Sequence, residues 1–192
     1  VMKNLNTSRQ PRAERAYGLS GAAWLLGFIL LLLTADLQAQ TLLQIDRQIA
    51  AMLASPNTAI VDEGQHLQSL VADLHPTLYI TKGEFSYYGG DYPIRVECDA
   101  ASISNLYQPL PAYSGVELII FKVTSPAELG AQVDLTRLTA FTQLKYIYFL
   151  CTFDVCPEFN QSRTCVENRL SPMLSGQGDG VMMILYKVSI PS

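Results

Sequence analysis

Two histidines and four cysteines are all that 192 residues offer as imidazole and thiolate ligands. Neither type comes at ligand spacing. Cys151, Cys156 and Cys165 stand five and nine residues apart with no C-x2-C pair, which disfavours a structural zinc site. H-E-x-x-H, G-x-S-x-G, the phosphate-binding loop and the dinucleotide fingerprint are missing from the sequence. The one Gly-rich stretch, "GQGDG" at 176–180, lacks a following Lys and offers calcium a single carboxylate, so it reads as a turn. Charge is sparse at 16% of residues, and no basic cluster occurs beyond residue 39. That excludes the Lys/Arg surface that nucleic acid needs to displace its counterions, and it removes any electrostatic attraction to anionic lipid. Long apolar runs are also missing. The longest, "GAAWLLGFILLLL" at 21–33, is 13 residues, against about 20 for a membrane-spanning helix.

That short run has a context. Lys3, Arg9, Arg12 and Arg15 precede it, and "TADLQAQ" follows, with small Ala39 at a position suited to cleavage. A basic segment, a short apolar segment and a small residue at the exit are the parts of a secretory signal peptide. The expectation is a signal at 1–39, with a retained anchor as the alternative. Contact with a membrane is expected only through this segment, before cleavage. Its removal takes four basic and two acidic residues and leaves nine and fifteen, a balance near −6. The remaining 153 residues suit one domain.

Within 40–192 three parts succeed one another. Residues 40–76 are helical by periodicity. Leu42, Ile45, Ile49, Met52 and Leu53 share one side, Ser55-Pro56-Asn57 interrupts, and Leu67, Leu70, Val71 and Leu74 resume the pattern until His75-Pro76. Gly64 is expected to weaken the second helix. Residues 77–98 read as a β-meander: "TLYIT", a Lys82-Gly83 turn, "EFSYY", a Gly89-Gly90-Asp91 turn and "YPIRVEC".

Residues 99–192 contain echoes. "VELIIFKVT" at 116–124 aligns with "LKYIYFLCT" at 144–152, placing Ile119 with Ile147, Phe121 with Phe149 and Val123 with Cys151. "VMMILYKVS" at 181–189 adds Ile184, Tyr186 and Val188 to the same columns, and "PIRVECD" is a weaker fourth copy with Val96 under Phe121 and Cys98 under Val123. The intervening segments carry Leu106, Leu110 and Tyr113, then Leu135, Leu138 and Phe141. Pro126 marks a helix start, while Pro109 and Pro111 argue against a continuous helix. "LTRLTAFTQLKYIYF" resembles a leucine-rich-repeat unit, with Leu144, Ile147 and Phe149 in its L-x-x-L-x-L core, and the 28-residue offset lies within that family's range. Thr124 and Thr152 stand where the family places asparagine. The resemblance implies a degenerate, short stack of βα units, a ligand-binding protein surface and no catalytic residue. The expected fold class is therefore α/β: a short, mostly parallel sheet of leucine-rich-repeat-like units, preceded by two amphipathic helices and a small antiparallel meander. A non-repeat α/β domain is the second reading.

Export permits disulfides, and four cysteines allow three complete pairings. If Cys98, Val123 and Cys151 share a column, the middle strand holds the two cysteines about 9–10 Å apart, beyond the about 7 Å that a disulfide tolerates. Cys156 and Cys165 flank the polar loop "PEFNQSRT" and are the first choice; the rival is Cys151–Cys156, with Cys165 bonded to Cys98 or free. Asp62, His66 and Asp73 share a helical face, which reads either as a solvated face or as an acid–base or metal site. The former is favoured, and neither a metal nor a cofactor is expected. Phe85, Tyr87, Tyr88 and Tyr92 surround the Gly-Gly-Asp turn, as binding anchors or as packing. The reading that follows is an exported, non-enzymatic interaction module of the periplasm or cell surface, with another protein or a cell-surface component as partner. The alternative is an exported hydrolase or metal-dependent enzyme.

Overall fold

The computed structural model describes residues 41–159, 162–176 and 182–190. The chain divides into two units, Val1–Ala39 and Gln40–Ser192, and the account below concerns the second. The expected signal segment at 1–39 lies outside the described residues, as does most of "GQGDG".

The protein is α/β, built on a seven-stranded, mostly parallel sheet. Its strands are β1 (Leu42–Gln44), β2 (Thr77–Thr81), β3 (Glu84–Tyr88), β4 (Arg95–Asp99), β5 (Leu118–Val123), β7 (Tyr146–Cys151) and β9 (Met183–Val188), in the order β1-β9-β7-β5-β4-β2-β3. A second pair joins β6 (Val133–Asp134) to β8 (Leu174–Ser175). Among the described residues, antiparallel pairing is confined to the β2–β3 hairpin. Instead of continuing a meander, β4 turns to the other side of β2 and pairs with it in parallel. The hairpin turn explains the tight reversal: Lys82 (φ 53°) and Gly83 (φ 81°) are both left-handed, the conformation of a two-residue turn whose twist matches the strands.

The two faces of the sheet are covered by different kinds of structure. One face carries Leu78, Val96, Cys98, Ile119, Phe121, Ile147, Phe149 and Ile184. Against it lie the returns between parallel strands, which are mostly 3-10 segments: Ala100–Tyr107, Pro111–Gly115, Pro126–Gly130 and Leu135–Arg137. Pro126 starts a five-residue 3-10 turn rather than an α-helix. Leu135, Leu138 and Phe141 are nevertheless buried in this core, as are Leu106 and Tyr113, because a 3-10 turn also brings every third residue to one side. The opposite face carries Leu118, Ile120, Tyr146, Tyr148 and Leu185 and is packed by α1 (Ile45–Leu53) and α2 (Thr58–Ala72).

The helices begin and end differently from their periodicity. Leu42 belongs to β1 and is buried on the face opposite to α1, while Leu43 packs with α1; a strand sends successive side chains to opposite faces. Gln44 then caps α1 by accepting from the Arg47 N–H at 2.8 Å, and Asn57 caps α2 by accepting from Ala59 at 3.0 Å. α2 stops at Ala72, and Leu74 lies beyond it, 81% exposed. Gly64 proves to be a packing residue. A Cβ there would sit 2.8 Å from the Met52 Cβ of α1, so the missing side chain is what lets the two helices touch.

The self-alignment of the sequence matches the observed register in three strands. Ile119, Ile147 and Ile184 are neighbours in adjacent strands, as are Phe121, Phe149 and Tyr186, and Val123, Cys151 and Val188. The fourth copy slips by two residues. Val96 pairs with Ile119 and Cys98 with Phe121, so Cys98 does not share a column with Val123 and Cys151. A two-residue shift keeps every side chain on the same face and leaves no trace in the hydrophobic pattern.

Candidate interaction surface

β3 is an edge strand; among the described residues it pairs only with β2. All five of its residues are exposed. Phe85 is 38% exposed, Tyr87 46% and Tyr88 47%, and Tyr92, in the following turn, is 89% exposed. The register fixes how these side chains divide. Phe85 and Tyr87 stand opposite Ile80 and Leu78 and lie on the side of the 3-10 layer; Ser86 and Tyr88 stand opposite Tyr79 and Thr77 on the other. The four aromatics therefore do not form one cluster on one face. Two of them extend the sheet's core row into solvent.

The hairpin is held in place from the end of β4 and the 3-10 segment that follows it. The Lys82 N–H donates to Asp99 Oδ2 at 2.8 Å and the Gly83 N–H to Ser102 Oγ at 2.9 Å. The sequence gives no hint of this brace, since Asp99 and Ser102 lie 17 and 19 residues away. Gly89, at φ 78°, sits against Pro76, where a Cβ would come within 3.1 Å of the Pro76 Cα. Both ends of β3 are thus pinned, while no described residue pairs with its outer side.

The titratable residues form a second grouping at the sheet's N-terminal rim. His66 Nε2 lies 2.8 Å from Glu117 Oε2, and Lys145 Nζ reaches the same oxygen at 2.8 Å. The Tyr146 hydroxyl donates to Glu63 at 3.1 Å. His66 therefore faces Glu117 rather than joining Asp62 and Asp73. Burial pushes the Glu117 carboxyl up, but the hydrogen bonds and charges of Lys145 and His66 outweigh it and hold it below its ordinary value. Burial, with Glu63 adjacent, raises the Tyr146 phenol. The self-alignment held a signal for this group: Glu117 and Lys145 occupy the same column, 28 residues apart.

Cys156 and Cys165 form a disulfide, with Cα atoms 6.3 Å apart. Cys98 and Cys151 are free and buried. Burial pushes both thiols up to about 12, Cys98 with a further contribution from Asp99, so neither supplies a thiolate nucleophile at neutral pH. Both lie in the core on the 3-10 side, while His66 belongs to α2 on the other face, so the sheet separates it from both thiols; the His75 Nε2 lies 3.0 Å from the Ser69 carbonyl of α2. Among the described residues no group of three or more His, Cys, Asp or Glu is placed to hold a metal ion. None of the described helices is long and apolar enough to cross a membrane.

Comparison with family models, with curated proteins and with solved structures finds no match. Function must be argued from the surface itself. One end of the sheet presents a five-residue strand with three half-exposed aromatics; the other end is the three-residue β1. Large, rigid aromatics that lose little entropy on contact are the residue type that anchors protein–protein interfaces.

Proposed function

We propose that this is an exported, non-enzymatic interaction module of the periplasm or cell surface, and that its binding surface is the open edge of β3 with Phe85, Tyr87, Tyr88 and the adjacent Tyr92. The observation that carries the reading is the exposure of all of β3 at a sheet edge. Natural edges are usually blunted by charge, proline or a bulge, and within β3 only Glu84 is charged. Export is supported by the signal-like segment at 1–39 and by the Cys156–Cys165 disulfide, which suits an oxidising compartment. The parallel strands whose returns share one face fit a degenerate leucine-rich-repeat-like stack, a scaffold suited to presenting a surface. The partner is a protein or another cell-surface component.

The test has two arms. N-terminal sequencing of the protein recovered from its source should find a start near residue 40 outside the cytosol; a start at residue 2 in the cytosolic fraction would contradict export. The second arm measures association of purified protein with the envelope fraction of its source. Replacing Tyr87, Tyr88 and Tyr92 by Ser should abolish that association and leave the melting temperature nearly unchanged. Retained association would remove β3 from the reading.

A further inference from the structure

The β3 edge has a backbone pattern of its own. In a two-residue hairpin the residues flanking the turn, Thr81 and Glu84, form a hydrogen-bonded pair. The alternation then assigns the N–H and C=O of Glu84, Ser86 and Tyr88 to β2, and those of Phe85 and Tyr87 to the outer side. The other side of β2 agrees, because Pro76 gives its carbonyl to the Ile94 N–H of the β4 segment at 3.0 Å, leaving Thr77, Tyr79 and Thr81 for β3. Each molecule therefore shows solvent two outward N–H/C=O sets, at Phe85 and Tyr87, with an outward-blank Ser86 between them.

We infer that a second copy of this chain pairs there, β3 against β3 in antiparallel fashion, about a twofold axis at Ser86. The inference rests on the interaction reading above and names the partner. In this register Phe85 of each copy stands opposite Tyr87 of the other. Both are hydrogen-bonding positions, so the two pairs exchange four backbone hydrogen bonds. The same pairs bring aromatic against aromatic on the face where Leu78 and Ile80 continue the core, a cross-strand combination that stabilises sheets. Ser86 meets Ser86, and Glu84 meets Tyr88, so the strand's one carboxylate never faces its own copy. "EFSYY" is thus complementary to itself in size, hydrogen bonding and charge. The product is one continuous sheet across two molecules, an isologous contact that closes on itself and covers the open edge. The opposite edge, β1, is only three residues long and offers far less.

Ser86 tests the register directly. In a non-hydrogen-bonded antiparallel pair the facing Cα atoms lie about 4.5 Å apart, within disulfide range. Ser86→Cys should therefore yield a disulfide-linked dimer under mild oxidation, while Ser114→Cys, exposed on a 3-10 segment, should stay monomeric. Sedimentation of the unmodified protein should show a monomer–dimer equilibrium. Tyr87→Pro removes one outward N–H without touching the bonds to β2, and Tyr87→Lys places a charge on the edge. Both should shift the dimer to monomer by at least tenfold in Kd, and the Lys variant guards against misfolding of the Pro variant. A monomer at every concentration with no Ser86→Cys cross-link would overturn the inference, as would a dimer indifferent to both Tyr87 substitutions. If envelope association is still lost in the triple Tyr→Ser variant, only the choice of partner has failed; if it persists, the surface itself has.

Discussion

Arg95 is the residue whose role the sequence conceals most. It opens β4 and is buried. Its guanidinium donates to the Leu70 and Asp73 carbonyls at 3.0 and 3.4 Å and to Thr77 Oγ1 at 3.1 Å. It thereby closes the C-terminal end of α2, where a cation also meets the negative end of the helix dipole. Glu97 lies 3.6 Å from it and 2.5 Å from Lys122 Nζ. Arg95→Met should cost about 3 kcal/mol in chemical denaturation, since carbonyls and a carboxylate lose a charged donor in the interior. Glu117 makes a pH prediction. Its carboxyl is held low in the folded state, so its contribution is complete above the unfolded carboxyl value and is lost as pH falls through the lowered one. Glu117→Gln should flatten the acid limb of a stability–pH profile and cost less than about 1 kcal/mol at neutral pH, because the group is partly solvated. The role of Arg95 is not legible in the sequence, because it acts on backbone carbonyls that carry no residue identity; that of Glu117 is legible only toward Lys145, its column mate, and not toward His66, 51 residues away.

At the scale of elements, periodicity identifies what is buried better than what is helical. Leu135, Leu138 and Phe141 are core residues as their spacing implies, yet they sit on 3-10 and irregular backbone. Leu42 fits a helical stripe and is a strand residue; Leu74 fits the next stripe and is solvent-exposed. The register of β5, β7 and β9 follows from the sequence because long side chains recur at fixed offsets. That of β4 does not, because an alternating pattern is blind to a slip of two. Gly64 gives the sharpest test at this scale. Propensity alone says that Gly64→Ala stabilises α2 by about 1 kcal/mol. The 2.8 Å approach to the Met52 Cβ says that α1 must move, and overpacking costs about 1–3 kcal/mol. The expected outcome is a net loss of about 1 kcal/mol, visible as a lower melting temperature.

At the scale of the whole molecule, the sheet is closed by short, dissimilar pieces rather than by repeated helices. The last return is the longest on the 3-10 side and carries the disulfide, together with the Glu158–Arg169 ion pair to α3 (Arg163–Leu170). A bridge of nine-residue separation should contribute about 2–3 kcal/mol by restricting the unfolded chain. Cys156→Ser with Cys165→Ser should lower stability by that amount in non-reducing buffer, and reductant should do the same to the native protein while leaving the double variant unchanged. The fold class could be read from the alternation of apolar runs and returns. The open edge could not, because the choice between packing and exposure for "EFSYY" depends on which side of β2 the next strand takes.

The central claim, that β3 is an open edge built for association, is tested most directly by amide hydrogen exchange along that strand. The amides of Glu84, Ser86 and Tyr88 should be protected at every concentration, since they bond to β2. Those of Phe85 and Tyr87 should exchange rapidly in dilute solution and become protected as the protein is concentrated. Rapid exchange at Phe85 and Tyr87 under all conditions, or protection of both in a proven monomer, would contradict the account.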